Sequence, residues 1–377
     1  MATLDDVIDA LETAYDPRGA ESWDAVGLVC GDPTADVSRV HLAVDPVAAV
    51  VDEAIAAGAQ LLVTHHPLFL GGTTSVAATN AKGRVIHRLI STGCALYVAH
   101  TNADVADPGV SDALAETVGL RDLRPLQPLE GQAQDKLVTF VPPADVDRVL
   151  DVLAAAGAGV IGDYDRCAFA TPGTGTFRPG DAANPTIGTR GEIERVEEMR
   201  LEIVVPRARR TSVIRALVAA HPYEEPAWDL VPLAAPPSTH GLGRVGELAE
   251  STTLAEFTAA VARALPVTAW GVRAAGDPRR PVRTVAVCGG SGGSLAGTAA
   301  RAGADVLLTA DLKHHATSEA IEDDVIALMD AAHWATEWPW LGQVARLIGS
   351  GAAGATDTVE ATISTTVTDP WTVHEHQ

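Results

Sequence analysis

The sequence predicts an α/β fold in which two similar β/α halves form one domain, interrupted by an inserted ferredoxin-like domain. Three observations carry this expectation. From Arg39 onward short β-rich runs alternate with helical patterns, the cadence of a parallel sheet. The same cadence returns near the C-terminus. Between the two, the chain changes character and reads β-α-β-β-α-β, the ferredoxin-like order.

Taken in order, MATLDDVIDALETAYD is an acidic, amphipathic stretch. The first half then runs RVHLAVD, PVAAVVDEAIAAG, AQLLVTH, NAKGRVIHRLISTG and CALYVAH, alternating strand and helix. The second half runs VRTVAVCGG, SLAGTAARAG, ADVLLTAD, a short helix after His315, DVIALMDAAH and the helical ATEWPWLGQVARLIG. Residues 57–66 (AGAQLLVTHH) match residues 302–311 (AGADVLLTAD), and each half then reaches a strand ending in His-x-x-x-acid, His100 to Asp104 and His333 to Glu337. Such self-similarity points to internal duplication. The insert comprises KLVTFVP, ADVDRVLDVLAAAG, CAFATPG, a Gly/Pro/Asn-rich loop, MRLEIVVP, RTSVIRALVAAH and AWDLVPL. Its flanks, RPLQPLEGQ and LAAPPSTHGLG, read as linkers and place the domain spans at 1–130, 131–238 and 239–377. The final stretch from residue 349 reads as either an edge strand or a loose tail.

With 377 residues, 47% of them hydrophobic, the chain can bury a large core and is long for one compact domain. Its formal net charge of -22 repels nucleic-acid phosphates. The short basic clusters, Arg207 with Arg209 and Arg210 and Arg279 with Arg280, lack interleaved aromatics, so direct nucleic-acid binding is disfavoured. Cys30, Cys94, Cys167 and Cys288 are scattered without CxxC spacing and read as thiols of a reducing compartment, with no disulfides expected. No basic, apolar leader opens the chain, and no run approaches the roughly 20 apolar residues a bilayer needs. The expected location is cytoplasmic, with no membrane association.

The chemistry-bearing residues gather at strand ends. His65 and His66 follow a strand at its C-terminal end, where open α/β sheets place their ligand sites. In extended backbone neighbouring side chains point to opposite sides, so the pair is expected to serve two adjacent ions rather than to chelate one. Pro67 biases His66 away from helical geometry. Asp104 reads as a carboxylate bridge between two cations, or else as a turn or cap residue. His100 reads equally as a ligand or as a group supporting one. His333 and Glu337, at i and i+4, share one face of a helical turn, a chelating spacing; Trp334, Trp338 and Trp340 read as packing. Imidazole with carboxylate admits Zn, Fe, Mn, Co or Ni, and two divalent metal ions per chain are expected. Further candidates are the CGGSGGS turn at residues 288–294, a tight turn or an anion site, and the run TADLKHH, in which Asp311, Lys313, His314 and His315 read as supporting or substrate-binding groups or, equally, as helix-cap or surface residues. HPYEEPAWD at residues 221–229 reads as a structured turn or a contact surface.

Together SWDAVGLVCGDP, LLVTHHPLF, AHTNADVADPGVSDALAE, GRVGEL, VCGGSGGSL, DVLLTADLKHH and DAAHWATE resemble the Nif-three-like dinuclear metal-centre proteins, also known as GTP cyclohydrolase type-two homologues. The resemblance runs from about Trp23 to about Leu347 and leaves the C-terminal tail outside. Ala103 departs from the usual Leu or similar residue there, which bears only on local packing. The insert is similar to the small regulatory-like domain of longer members. The resemblance implies a two-metal site on His65, His66, Asp104, His333 and Glu337, and a homohexameric ring or cage. It implies a metal-dependent hydrolase, cyclohydrolase-like or phosphoesterase-like, acting on an unidentified small molecule. His100, Lys313, His314 and His315 are then the candidate substrate-binding or proton-donating groups, and no catalytic residue is assigned. The alternative is a non-enzymatic metal or cofactor chaperone, or an oligomeric regulatory protein.

Overall fold

The computed structural model describes residues 2–131, 133–235, 237–350 and 359–375. It divides into two compact units, Met1–Leu129 with Thr239–Gln377, and Glu130–Ser238.

In the larger unit, alternation along buried strands builds the layers. Leu61 and Val63 enter one core with Leu42 and Tyr97, while Leu62 turns the other way to meet Val50, Leu89 and Leu96. Successive side chains of a strand point to opposite faces, so a continuous apolar run such as Leu61–Thr64 marks a sheet buried on both sides. The second half repeats the device: Val306 and Leu308 join the same central core, and Leu307 packs outward with Ala286, Ala299 and Leu328. Two sheets thus face a shared core that also holds Leu11, Leu114, Phe257, Trp340 and Val344.

The two sheets show the duplication. One has the strand order Glu360–Ile363, Arg39–Ala43, Leu61–Thr64, Ala95–Val98, Gly27–Cys30. Its first four strands pair in parallel and the last is antiparallel. The other contains Pro281–Val287, Val306–Ala310 and Ala327–Ala331 in parallel, again closed by an antiparallel strand, Val272–Ala275. Even the entry helices correspond. Leu4–Ala14 and Leu254–Ala264 each start from a threonine in a reciprocal capping box, Thr3 with Asp6 and Thr253 with Glu256, which satisfies amides that the first helical turn leaves without partners.

Two segments that read as linkers are strands. Arg121–Glu130 and Pro237–Thr253 lie side by side, the first at the edge of the second sheet. Their Pro and Gly content misled because an edge strand tolerates proline, whose missing N–H faces away from the ladder. Within the tail, residues 351–358 fall outside the described residues, but Glu360–Ile363 forms an edge strand parallel to Arg39–Ala43.

The smaller unit follows the order Gln134–Val141, Val146–Ala155, Ala168–Phe177, Glu194–Pro206, Arg210–Ala220, Trp228–Pro232. Its four strands form an antiparallel sheet in which Gln134–Val141 and Glu194–Pro206 are central. Leu137, Val141, Leu201, Ile203 and Val205 face the two helices through Val149, Leu153, Val213 and Leu217. No helix among the described residues is long and apolar enough to cross a membrane, and all four cysteines are free thiols.

Candidate metal centre

Four histidines and two carboxylates meet at the C-terminal ends of the parallel strands of the larger unit, where loops are free of the ladder and can aim side chains inward. His65 and His66 follow Leu61–Thr64; His100 follows Ala95–Val98 and precedes the short helix Thr101–Val105 that carries Asp104; His333 and Glu337 begin and end the short helix after Ala327–Ala331. Neighbouring imidazole centroids lie 5.1 Å apart for His65 and His66, 5.1 Å for His65 and His100, and 5.2 Å for His66 and His333. The expectation that His65 and His66 diverge is corrected. The strand ends at Thr64 and the chain bends at the two histidines, so strict alternation no longer applies, and ligand atoms of His65, His66 and His100 fall within 4.8 Å of one another.

Each ring is held by an oxygen on its Nδ1, which leaves Nε2 for the centre. His65 Nδ1 is 3.0 Å from the Ala99 carbonyl, His66 Nδ1 is 2.7 Å from Asp45, His100 Nδ1 is 2.9 Å from Asp24, and His333 Nδ1 is 2.6 Å from Asp311. Glu337 stands between three rings: its Oε1 lies 2.9 Å from His333 Nε2 and 3.5 Å from His65 Nε2, and its Oε2 lies 3.2 Å from His66 Nε2. Asp104 Oδ1 is 3.7 Å from His65 Nε2. His66, His333 and Glu337 form a second group of converging ligand atoms. Despite this proximity, His65 Nε2 and Glu337 Oε2 are shielded from solvent and make no properly oriented hydrogen bond. Buried polar atoms rarely stay unpaired without a function, so the donor set fits a cation.

The electrostatics agree. Burial alone would raise the Glu337 carboxyl, but His66, His65 and His333 hold it well below its usual range. Burial opposes charge on His66, yet Glu337 and Asp45 push it up to about 11, and Glu337 with Asp311 overcomes burial to bring His333 to about 9. Asp104 is driven up to about 6, chiefly by burial and against the pull of His65. His100 is lowered by burial and by the charge of His65. Glu337 is 2% exposed. An anion so deeply buried demands positive charge beside it.

Asp24 and Asp45, which orient His100 and His66, are absent from the sequence expectations. The signal available was position: Asp45 follows a parallel strand, as His65 does. Lys313, His314 and His315 are exposed around the start of the helix His314–Glu322, outside both groups of converging ligand atoms; the contact to the cluster from this run is Asp311. Trp334 and Trp340 are buried in the core, as expected, and Trp340 also lies 5.4 Å from the His65 ring. The CGGSGGS segment is a tight turn leading into the helix Ala296–Arg301. The tail reaches the centre as well: the Thr368 hydroxyl donates to Asp45, and Asp369, 7% exposed, keeps Oδ2 without a partner.

The duplication is offset at the site. Ladder register makes Val98 equivalent to Asp330, since Thr64 pairs with the first and Thr309 with the second, within matched strands. His100 then lies two residues past its reference position and His333 three past, so the two His-x-x-x-acid units are not superposable. Asp45 corresponds to Gly290, whose φ is +63° and where a Cβ would stand 2.5 Å from Glu337 Oε1 and 3.0 Å from His333 Nε2.

Comparison with known proteins accords with this geometry. The chain is 50% identical over 374 residues to a protein of Mycobacterium tuberculosis named GTP cyclohydrolase 1 type 2 homolog, covering 99% of this chain and 97% of that one. Among solved structures, a Bacillus cereus protein related to NIF3 is 36% identical, with a TM-score of 0.76 and 98% of each chain covered. A Staphylococcus aureus protein is 28% identical, with a TM-score of 0.84 and 99% of each covered. The Duf34/NIF3 (NGG1p interacting factor 3) model matches residues 2–370, so the likeness extends through most of the tail rather than ending near Leu347. The chain belongs to the Duf34/NIF3 family.

Proposed function

We propose that His65, His66, Asp104, His333 and Glu337 hold two divalent cations, with His100 completing the histidine wall, and that the centre hydrolyses a small molecule in the manner of a GTP cyclohydrolase type-two-like or phosphoesterase-like enzyme. The observation that carries this reading is the convergence of inward-facing imidazoles on one buried carboxylate, with His65 Nε2 and Glu337 Oε2 unpaired. Divalent cations at such a site lower the pKa of water and polarise an electrophilic carbon or phosphorus. The chain's own part is positional. Asp45, Asp311, Asp24 and the Ala99 carbonyl fix the rings, and the two oxygens of Glu337 face different histidines. We also read the smaller unit as ferredoxin-like, the assembly as a homohexamer and the location as cytoplasmic.

Elemental analysis of purified protein should give about two ions per chain, as a dinuclear centre requires, and turnover on phosphoester and purine-nucleotide panels should vanish in metal-stripped controls. The double variant His65→Ala, Glu337→Ala should lose stoichiometric metal and keep its circular dichroism; two ions retained would overturn the ligand assignment. Metal without turnover would move the reading to a metal-handling role. Sedimentation should report six times the 39.0 kDa chain mass.

A further inference from the structure

A cavity of about 820 Å³ lies within the smaller unit, away from the histidine cluster in sequence, and its wall includes Phe140, Phe177, Glu198, Arg200 and Tyr223. A pocket of several hundred Å³ with apolar walls and a few fixed polar groups is the usual form of a small-molecule site.

The sheet itself explains why a cavity forms there. Leu201 and Ile203 face the helices, so by alternation Glu198 and Arg200 belong to the opposite face, as do Phe140 and Gly173, which pair with them across the ladder. That face is roofed by the loop at residues 178–191 and the turn at residues 221–227. The roof is pinned: Asn184 N donates to Glu224 Oε2 at 2.9 Å, Thr186 Oγ1 to the Pro222 carbonyl at 2.8 Å, and His221 Nε2 lies 3.0 Å from the Phe140 carbonyl. The floor is cleared. Gly173 and Gly175 replace side chains on the neighbouring strand, and a Cβ on Gly175 would stand 2.0 Å from Glu198 Oε2.

Glu198 sets the polarity. It is 8% exposed and makes no ion pair among the described residues. Burial, then the nearby Glu198 carboxylate, keeps the proton on the Tyr223 phenol, and the hydroxyl makes no well-oriented hydrogen bond among the described residues. Arg200, the one cation among the described lining residues, pairs with Glu202, with Nε 2.9 Å from Oε1, and its guanidinium lies over the Phe140 ring, 5.9 Å from the centroid. Glu198, Glu224 and Glu225 therefore give the pocket a negative balance, while the rings of Phe177 and Tyr223, 6.3 Å apart, supply aromatic faces. Aromatic faces beside a desolvated carboxylate attract an organic cation.

We propose that this cavity is a binding site for a small organic cation, an aromatic-sized molecule bearing an ammonium or amidinium group, with Glu198 as its counter-ion and Phe177 and Tyr223 around its body. The site is separate in residues and chemistry from the histidine centre, and it gives the insert a ligand of its own.

The test is calorimetric titration of the full chain with benzamidine, a cation, and with benzamide, its neutral near-isostere. Benzamidine should bind saturably and at least tenfold tighter than benzamide. Glu198→Gln should weaken benzamidine at least tenfold and leave benzamide unchanged. Phe177→Leu, which keeps an apolar wall but removes the π face, should weaken benzamidine about threefold, the scale of an exposed cation–π contact. The double variant His65→Ala, Glu337→Ala should bind benzamidine as the parent does, which separates this site from the metal centre. Absence of benzamidine binding, equal affinity for both probes, or full affinity in Glu198→Gln would overturn the proposal.

Discussion

At the scale of single residues, small and buried groups decide what the centre can be. Gly290→Ala places a methyl group against Glu337 and His333 on a backbone that L-residues adopt at a cost of about 1–2 kcal/mol. Reduced metal occupancy and a lower melting temperature are expected; unchanged stoichiometry in a metal titration would contradict the role given to that glycine. His41 makes a pH prediction. It is 2% exposed, its Nδ1 meets Thr362 Oγ1 at 2.9 Å, and burial lowers its pKa below 6.5 despite the pull of Glu53. The unfolded chain therefore binds the His41 proton more readily than the folded chain does. Stability falls as pH drops from about 6.5 toward the lowered folded value and is flat above. Thermal melts at stepped pH should show this slope diminished in His41→Phe. The histidine and carboxylate cluster was legible because paired histidines and a His-x-x-x-Glu spacing are uncommon in apolar surroundings. Asp24 and Asp45 were not, because a lone acid beside a turn is most often a turn residue, and only the ring it touches distinguishes it.

Elements were legible where side-chain period was strong. The Leu- and Val-rich parallel strands and the amphipathic helices announced themselves, whereas Arg121–Glu130 and Pro237–Thr253 hid behind linker-like composition. A buried ion pair secures the second of those strands. Arg244, 1% exposed, donates from Nε to Asp112 Oδ1 at 2.7 Å and from NH1 to the Gly241 and Gly243 carbonyls, while Asp112 Oδ2 caps Gly109 N. Removing one member of a buried pair strands the other, so Arg244→Met should cost about 3–5 kcal/mol in a denaturant titration. Adding Asp112→Asn, which removes the stranded charge and keeps the cap, should recover part of that loss; no recovery would mean that the packing of the guanidinium, not its charge, matters.

For the whole molecule, the duplication was legible in the match of residues 57–66 to 302–311, but its offset at the clustered histidines was not, since a one-residue difference at a helix start leaves the local spacing unchanged. Chain entry to and exit from the insert occur on adjacent strands, Arg121–Glu130 and Pro237–Thr253. Replacing residues 131–236 with a two-residue hairpin turn should therefore leave a larger unit that folds and keeps its metal content, as measured by elemental analysis; loss of metal would show that the centre depends on the insert. The edge strand Glu360–Ile363 carries a different implication. During synthesis every other strand of its sheet leaves the ribosome first, so Arg39–Ala43 keeps an unpaired row of amides until residue 363 has emerged. On a crowded polysome that open edge would offer a neighbouring nascent chain a row of groups to pair with, and slow translation of the stretch that carries Glu360–Ile363 would lengthen the interval in which two unfinished chains can pair with each other instead of with themselves.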